Sequence, residues 1–416
     1  MNILSLFPLI PLVMMLGLWI SKNTRQIHAV MVAGSSALLA LAIYLVFHYL
    51  GLREAGATDA MLLTDSVVWY APLNIHYAVG VDGISVAMLL LSAIIVFTGT
   101  FASWQMKSDV KAYFLWFCLL SVGVFGFFIT VDLFSMFMFY EVALIPMYLL
   151  IGVWGSGRKE YSAMKLTLML MGGSALLLCG ILGIYFGAGA QTMNLHEIAA
   201  LHNIPLSQQY IWFPMVFVGF GVLGALFPFH TWVPDAYAYS TPTSAAVLSS
   251  LVSKGYIFLL MKIMYRVIGL DVIVSTGIQD VLFVFALVGM VMGSISAIRQ
   301  TDIRRMIAFS SVAQIGYVFM GIGLGTDEGM MAATFHIFSH AVCKSMLFLA
   351  AGGLADASNN SKKFRDLRGA GFRSPIAGVA FTIGALSMVG FPFLGGFASK
   401  LNFALAAMDV GGARTM

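Results

Sequence analysis

Long apolar segments are the feature that most constrains how this chain can fold. Runs of about 20 apolar residues follow one another along the sequence and are separated by polar connections. A helix of that length spans a bilayer. Hydrophobic residues make up 60% of the chain and charged residues 10%, whereas soluble domains carry about a quarter charged residues. The chain is therefore predicted to be an all-α polytopic membrane protein.

Twelve transmembrane helices are predicted, and the last of them is long and interrupted. The longer connections, 51–82 and 188–211, have room for either a short hairpin or an amphipathic segment, and no soluble domain fits anywhere. The predicted spans are 3–21, 28–50, 83–104, 110–130, 132–153, 162–187, 212–230, 244–266, 277–298, 305–325, 329–352 and 374–409.

Two spans contain a proline-centred break. Phe227-Pro228-Phe229 interrupts the seventh span, and Phe391-Pro392-Phe393 interrupts the twelfth. Proline removes a backbone donor, and freed backbone groups at membrane depth need protein or water to satisfy them. Matched broken helices five spans apart predict two inverted five-helix repeats, as in many transporters. We expect one membrane domain over 1–416, with N-terminal helices in 1–104, a first repeat in 110–266 and an incomplete second repeat in 277–409.

Basic residues predict the orientation, because lysine and arginine concentrate in cytoplasmic connections. One side receives fourteen of them and the other side four, so the first side is predicted to be cytoplasmic and both termini to lie outside. The first set is Lys22, Arg25, Lys107, Lys111, Arg158, Lys159, Arg299, Arg304, Arg305, Lys362, Lys363, Arg365, Arg368 and Arg373, and the second is Arg53, Lys262, Arg266 and Arg414.

Three ionisable side chains stand at four-residue spacing inside one span. His336, His340 and Lys344 lie in the apolar run from about 329 to 354. On a helix this spacing places them on one face over roughly 12 Å, at about 1.5 Å per residue. Ionisable groups at membrane depth are costly unless they face water or a partner. The pattern favours a proton or ion route over a polar stripe that only joins helices.

A glutamate and a lysine are predicted to form an ion pair on neighbouring helices. Glu141 is the one carboxylate near the centre of a span, and Lys165 lies about one turn inside the next span. A pair in a low dielectric changes its protonation when its members separate, as proton pumping requires. A static structural pair is the alternative.

Other ionisable residues in or beside the spans complete the candidate proton path. Lys254 lies near the middle of the eighth span with no acid nearby in sequence, so it can act as a proton carrier. Lys400 follows the second break. His230 and Asp235 lie at the mouth of the first break, where they either take up protons or cap helix ends. The three cysteines lack metal-binding spacing, and no metal is expected.

Several motifs resemble the antiporter-like subunits of respiratory complex I, the NADH–quinone oxidoreductase. They are 229–236 (FHTWVPDA), 140–148 (YEVALIPMY) and 302–311 (DIRRMIAFSS), together with Pro242-Thr243 and Lys254. The resemblance covers nearly the whole chain. The front half is most similar to the M-type subunit. The same superfamily includes multi-subunit cation/proton antiporters and membrane arms of energy-converting hydrogenases.

The resemblance implies a proton-translocating membrane subunit of a bacterial inner membrane, with other membrane subunits as partners. It implies no cofactor in this chain, because redox chemistry takes place in partner subunits. By the family pattern, Glu141 is the fifth-span glutamate, Lys254 the central lysine of the eighth span and Lys400 the charged residue after the twelfth-span break. Lys165 matches the lysine of the following span, and His336, His340 and Lys344 match the eleventh-span relay.

The chain departs from the family pattern at three places. Leu223 stands where the family usually has a seventh-span lysine, which removes the usual partner of Glu141. M-type subunits usually carry glutamate at the position of Lys400. The family usually has about fourteen spans, so the second repeat is expected to lack its last helix.

Two other functions compete with the complex I interpretation. A subunit of a cation/proton antiporter or membrane hydrogenase would share the fold, and its partners would distinguish it. A haem-b electron carrier would need histidine pairs on facing helices, whereas His336 and His340 share one helix. Nothing in the sequence indicates nucleic-acid binding.

Overall fold

The computed structural model describes residues 2–189, 192–201, 205–264 and 277–410, and these residues are mostly helical. Two basic residues used for the predicted orientation, Arg266 and Arg414, lie outside the described residues. The helices are α1 (Leu6–Ile20), α2 (Thr24–Glu54), α3 (Gly83–Ala102), α4 (Val110–Ile129), α5 (Leu133–Gly152), α6 (Lys159–Gly187), α7 (Leu195–Leu201), α8 (Leu206–Leu223), α9 (Trp232–Tyr239), α10 (Pro242–Val247), α11 (Ser253–Lys262), α12 (Ile278–Ile298), α13 (Ile303–Gly323), α14 (Asp327–Asp356), α15 (Ala370–Arg373), α16 (Pro375–Val389) and α17 (Gly395–Val410).

Ten helical segments in the described part are long and apolar enough to cross a bilayer. They match ten of the twelve predicted spans, and three of them, α2, α6 and α14, are longer than predicted, at 31, 29 and 30 residues. The predicted spans 212–230 and 374–409 are each divided into shorter helices by a break. The prediction of an all-α polytopic membrane protein is confirmed.

The first break separates α8 from α9. The helix α8 ends at Leu223, Ala225 takes a positive φ of 61°, and a 3₁₀ turn over Phe229–Thr231 leads into α9. The indole Nε1 of Trp232 donates to the carbonyl oxygen of Val222 at 3.0 Å. The Trp232 side chain thus stabilises the break by donating a hydrogen bond to a backbone carbonyl oxygen that the end of α8 leaves without a helical partner.

The second break separates α16 from α17. The chain leaves α16 through Gly390, whose φ is 94°, and α17 begins at Gly395. A Cβ on Gly396 would lie 1.7 Å from the carbonyl oxygen of Ser387, so only glycine fits there. This close approach packs the start of α17 against the end of α16.

The chain divides into two compact units, of which the first comprises Met1–Trp154 and Leu170–Gly219. It contains a β-hairpin, β1 (Leu62–Tyr70) and β2 (Ile75–Val81), paired antiparallel from Leu62↔Val81 to Tyr70↔Ile75. Of the two structures expected for the longer connections, the connection 51–82 contains the hairpin. The connection 188–211 contains the short helix α7.

The second unit comprises Gly155–Met169 and Phe220–Met416. Its α12 and α13 pack closely, because a Cβ on Gly293 would lie 2.6 Å from the backbone nitrogen of Ala313. The segment Pro242–Lys262 forms one candidate span that is interrupted by a π-helical turn over Leu248–Val252. That span is fully buried and carries one of the predicted site residues.

Candidate functional site

The helix α14 carries His336, His340 and Lys344 on one buried face, as the spacing predicts. Their exposed fractions are 2%, 1% and 0%. The two imidazole rings stack with centroids 5.9 Å apart. The Lys344 ammonium donates to the carbonyl oxygen of Ile307 at 3.0 Å and to the hydroxyl of Ser310. Both ring nitrogens of His340, and Nε2 of His336, have no hydrogen-bond partner among the described residues.

Lys254 lies in the fully buried span beside the π-helical turn. Its ammonium donates to the carbonyl oxygen of Ser249 and to the hydroxyl of Ser253, the latter at 3.0 Å. A π turn shifts the usual helical hydrogen bonds, and such turns often occur at functional sites. The turn thus places a backbone carbonyl where a lysine one turn later can donate to it.

Two serines connect the Lys254 span to α14. The hydroxyl of Ser250 lies 2.8 Å from the carbonyl oxygen of Ala341 and 2.6 Å from the hydroxyl of Ser345. Ser250 precedes Lys254 by one helical turn, and both α14 residues flank Lys344. Lys254 and Lys344 consequently lie within electrostatic range of each other.

Lys400 lies near the His336 end of this group of ionisable side chains. Its ammonium donates to the last two carbonyl oxygens of α16, Met388 at 2.8 Å and Val389 at 3.1 Å. It also lies 5.2 Å from the ring centroid of Tyr317, whose ring is 5.8 Å from that of His336. A cation at a helix C-terminus is stabilised by the helix dipole.

A hydrogen bond connects His336 on α14 to the helix that carries Lys400. Nδ1 of His336 lies 2.9 Å from the hydroxyl of Ser399, the residue before Lys400. His336 also lies within electrostatic range of Lys254, Lys344 and Lys400. We call Lys254, Lys344, His340, His336 and Lys400 the basic row. The described residues provide no ion pair to any of its members.

A second cluster surrounds Asp235 on α9. The ammonium of Lys165 lies 2.8 Å from Oδ2 of Asp235, and the Arg305 guanidinium lies 3.7 Å from Oδ1. Lys165 acts electrostatically on His230, whose Nδ1 has no partner among the described residues. Both residues predicted at the mouth of the break therefore share one cluster with Lys165.

Two further cations hold the C-terminal end of α9. Arg304 donates to the carbonyl oxygen of Ser240 at 3.0 Å, and Lys362 donates to the hydroxyl of Ser156 at 2.6 Å and to the carbonyl oxygen of Ala238 at 3.4 Å. Lys362 lies in the connection after α14. Burial, and then the nearby positive charge of Arg304, lower the pKa of Lys362 to about 8, while Asp302 opposes the shift.

The predicted Glu141–Lys165 ion pair is wrong. Lys165 pairs with Asp235, and Glu141 Oε1 has no hydrogen-bond partner among the described residues. Ser174 on α6 lies close enough to act electrostatically on the Glu141 carboxylate. Leu223, which stands at the usual lysine position, is fully buried as the last residue of α8. Glu141 thus lies near a hydroxyl group and has no ion-pair partner among the described residues.

Several site residues were missed by sequence reasoning. The sequence places Asp235 at the break, but it gives no sign that Arg305, a basic residue of a connection, is its partner. Nor does it single out Ser249, Ser310 and Ser399, although each contacts a member of the basic row. Hydroxyl residues within apolar runs, one turn from an ionisable residue, were the signal that could have identified them.

Long apolar helices, two broken helices and buried ionisable groups are together typical of membrane ion-transport proteins. Comparison with known proteins specifies the class further. The family model described as NADH:quinone oxidoreductase/Mrp antiporter, TM, matches residues 130–415. The chain therefore belongs to this family.

Relatives and solved structures agree with this assignment. NADH-quinone oxidoreductase subunit M of Rickettsia felis is 31% identical over 413 residues, covering 96% of this chain and 82% of the relative. The structure of the membrane-bound sulfane sulfur reductase, an archaeal respiratory membrane complex, matches with a TM-score of 0.88 and 26% identity, covering 100% of this chain and 84% of that one. The structure of the Mrp complex from a Dietzia species matches with a TM-score of 0.84 and 25% identity, covering 99% and 75%.

Proposed function

We propose that this chain is a proton-translocating membrane subunit of an NADH–quinone oxidoreductase. Relatives named NADH-quinone oxidoreductase subunit M support this assembly over the others in the family. The redox reaction takes place in partner subunits, and this chain contributes the translocase function through its buried side chains.

The basic row is the observation that supports proton transfer. Its members are three lysines and two histidines, four of them buried and one half-buried. Adjacent ammonium groups in a low dielectric repel each other, so Lys254 and Lys344 cannot hold protons independently. A proton that arrives at one lysine favours release from the other. Transfer along the row follows from this coupling.

The same row favours protons over alkali cations as the translocated ion. Na⁺ and K⁺ bind through oxygen ligands such as carbonyl groups. In the basic row an alkali cation would meet ammonium groups, while a proton binds directly to a neutral amine or imidazole. The two histidines, with three ring nitrogens lacking partners in the described structure, are suited to pass protons between Lys344 and Lys400.

The remaining site residues are assigned to proton uptake and modulation. His230 and Asp235 take up protons near the first break, with Lys165 and Arg305 setting the charge of Asp235. Glu141 is assigned to modulation of proton transfer. We further propose that 110–266 and 277–409 are the two inverted repeats, and that both termini lie on the outer side of a bacterial energy-transducing membrane.

Purification of the tagged chain from its native membrane tests this function. The proposal predicts co-purifying subunits that oxidise NADH and reduce quinone, and NADH-driven acidification of vesicles into which the assembly is reconstituted. The initial rate of acidification should be the same in sodium-free buffer. Because the fold is shared with the Mrp complex, an antiporter is the specific alternative.

Each alternative gives a distinct result in that experiment. A cation/proton antiporter would purify without an NADH-oxidising subunit, and added Na⁺ or K⁺ would collapse a preformed pH gradient in the vesicles. A hydrogenase-type assembly would purify with hydrogen-oxidising or hydrogen-forming subunits. Either result would overturn the complex I proposal.

A further inference from the structure

A cavity of about 530 Å³ lies in the second unit, where three membrane helices meet their connections. Its walls include Ile303 at the start of α13, Leu354 near the end of α14, and Gly378 and Phe381 in the first turns of α16. The volume is in the range of ligand-binding cavities, and most of these wall residues are apolar. The cavity is separate from the basic row.

Two arginines line the cavity beside this apolar wall. Arg365 and Arg368 are both exposed, and their guanidinium groups form no hydrogen bond or ion pair with the residues described for this chain. The carboxylate of Asp366, between them in sequence, accepts a hydrogen bond from Ser361 at 2.6 Å and does not line the cavity. The cavity therefore offers two positive charges that no described residue neutralises.

The backbone that carries these arginines is held from two sides. The amide of Phe364 donates to the carbonyl oxygen of Thr301 at 3.1 Å, which attaches the segment to the start of α13. Arg373 donates to the carbonyl oxygens of Ala357 at 2.8 Å and Arg368 at 3.3 Å. A site whose backbone is already fixed loses less entropy when it binds a ligand.

Apolar side chains form most of the remaining cavity wall. They include Leu354 on α14, Phe364 in the connection and Phe381 on α16. The arginines lie in the connection, at the level where membrane helices end and lipid headgroups begin. Positive charge at headgroup level beside an apolar wall matches an anionic phospholipid.

We propose that this cavity binds an anionic phospholipid. The phosphodiester group lies between Arg365 and Arg368, and an acyl chain lies along the apolar wall that Leu354, Phe364 and Phe381 form. Basic cavities between membrane helices bind such headgroups in other proteins. This binding does not depend on the proposed proton transfer, and it is measured without any assay of translocation.

Binding of a fluorescent phosphatidylglycerol to the purified assembly, in detergent with excess phosphatidylcholine, tests the site. Each basic side chain contributes about 1 kcal/mol to the attraction of an anionic lipid. The double variant Arg365→Gln/Arg368→Gln should therefore bind about 30-fold more weakly, at 1.4 kcal/mol per tenfold. The matched control is Arg25→Gln/Arg299→Gln, which removes two exposed charges elsewhere and should change binding less than twofold.

A third variant separates a lipid from free phosphate. Thr382 lines the cavity, is exposed, and its hydroxyl donates to the carbonyl oxygen of Gly378 within its own helix. Thr382→Trp should fill the apolar part while leaving both arginines in place, and phosphatidylglycerol binding should fall at least tenfold. Inorganic phosphate at equal concentration should not displace the lipid.

Five results would overturn the proposal. Equal weakening by the control pair would show that only general surface charge acts. Displacement by inorganic phosphate would show an anion site without a lipid. Unchanged lipid binding in Thr382→Trp would show that the lipid binds outside this cavity. Equal affinity for phosphatidylcholine and phosphatidylglycerol would show that the arginines do not select an anionic lipid. A cross-link from residue 382 to a helix of another subunit in the assembly would show that protein, rather than lipid, occupies the cavity.

Discussion

Removing the carboxylate of Asp235 should leave Lys165 without its ion-pair partner. The two groups are 2.8 Å apart and 23% and 14% exposed. At an effective dielectric constant of about 20, the attraction at this distance is about 6 kcal/mol before desolvation. Exposed pairs contribute about 0–1 kcal/mol, and breaking a buried pair costs about 3–5 kcal/mol. The coupling energy for this partly buried pair should therefore be about 1–2 kcal/mol.

A double-mutant cycle with Lys165→Met and Asp235→Asn measures this coupling. The readout is the free energy of unfolding of the purified chain in mixed micelles, at one pH and one salt concentration. Asp235→Asn should cost more than Lys165→Met, because Asp235 also faces Arg305 at 3.7 Å. The difference between the two single variants reports the contribution of Arg305.

The control cycle combines Lys165→Met with Glu141→Gln. Because Lys165 pairs with Asp235, these two changes should be additive within about 0.5 kcal/mol. Coupling of 1 kcal/mol or more between Lys165 and Glu141, with none between Lys165 and Asp235, would refute the assignment of this ion pair.

Substitutions at four further positions give testable outcomes. Glu141→Ala should assemble and yet strongly reduce proton pumping, and a normal proton-to-electron ratio would exclude a role for this carboxylate. Leu223→Lys should assemble, since α8 ends there and its last carbonyl oxygens can accept from an ammonium; loss of the purified assembly would contradict this. Lys400→Met should lower the melting temperature by a few degrees, because the last carbonyl oxygens of α16 lose their donor, and Lys400→Arg should restore part of it. The pKa of Lys362 is about 8 in the folded chain and 10.5 in the unfolded chain, so the unfolded chain binds more protons between these values. Stability relative to Lys362→Met should rise from pH 8 to pH 10 and stay level below pH 8, as measured by unfolding at each pH.

Much of the fold could be predicted, because lipid imposes strict requirements on the chain. Apolar runs long enough to span the bilayer identified the helices, and proline with flanking phenylalanines identified both breaks. The basic row was also accessible from sequence. Lys254, Lys344 and Lys400 stand out because a lysine in an apolar run costs free energy unless a partner or water stabilises its charge.

The partner of Lys165 could not be predicted, because it depends on which way the side chain points. Sequence order brings α6 next to α5, and this suggested Glu141. Asp235 is 70 residues from Lys165 in sequence and follows the first break, so its proximity arises only from the folded path of the chain. The direction in which the Lys165 side chain points from α6 determines which carboxylate it pairs with, and the sequence does not specify that direction.

Backbone groups account for most of what else was missed. Lys254 donates to a carbonyl oxygen beside a π-helical turn, and Lys400 donates to carbonyl oxygens exposed by the end of α16. Neither acceptor has a side-chain signal in the sequence. The π turn lies in an ordinary apolar and serine-rich stretch, Leu248–Val252, where nothing in the composition marks it.

The central claim is that protons pass through the basic row, and the proton-to-electron ratio of Lys344→Met tests it most directly. Lys344 lies within electrostatic range of Lys254 and of both histidines, so a methionine should disrupt the row. The measurement compares NADH oxidation with acidification in vesicles containing the assembled complex, with Lys363→Met, an exposed lysine in a connection, as the control. The account predicts a lower ratio for Lys344→Met, a normal ratio but slower pumping for His340→Gln, and no change for Lys363→Met. A normal ratio and rate in an assembled Lys344→Met variant would contradict it.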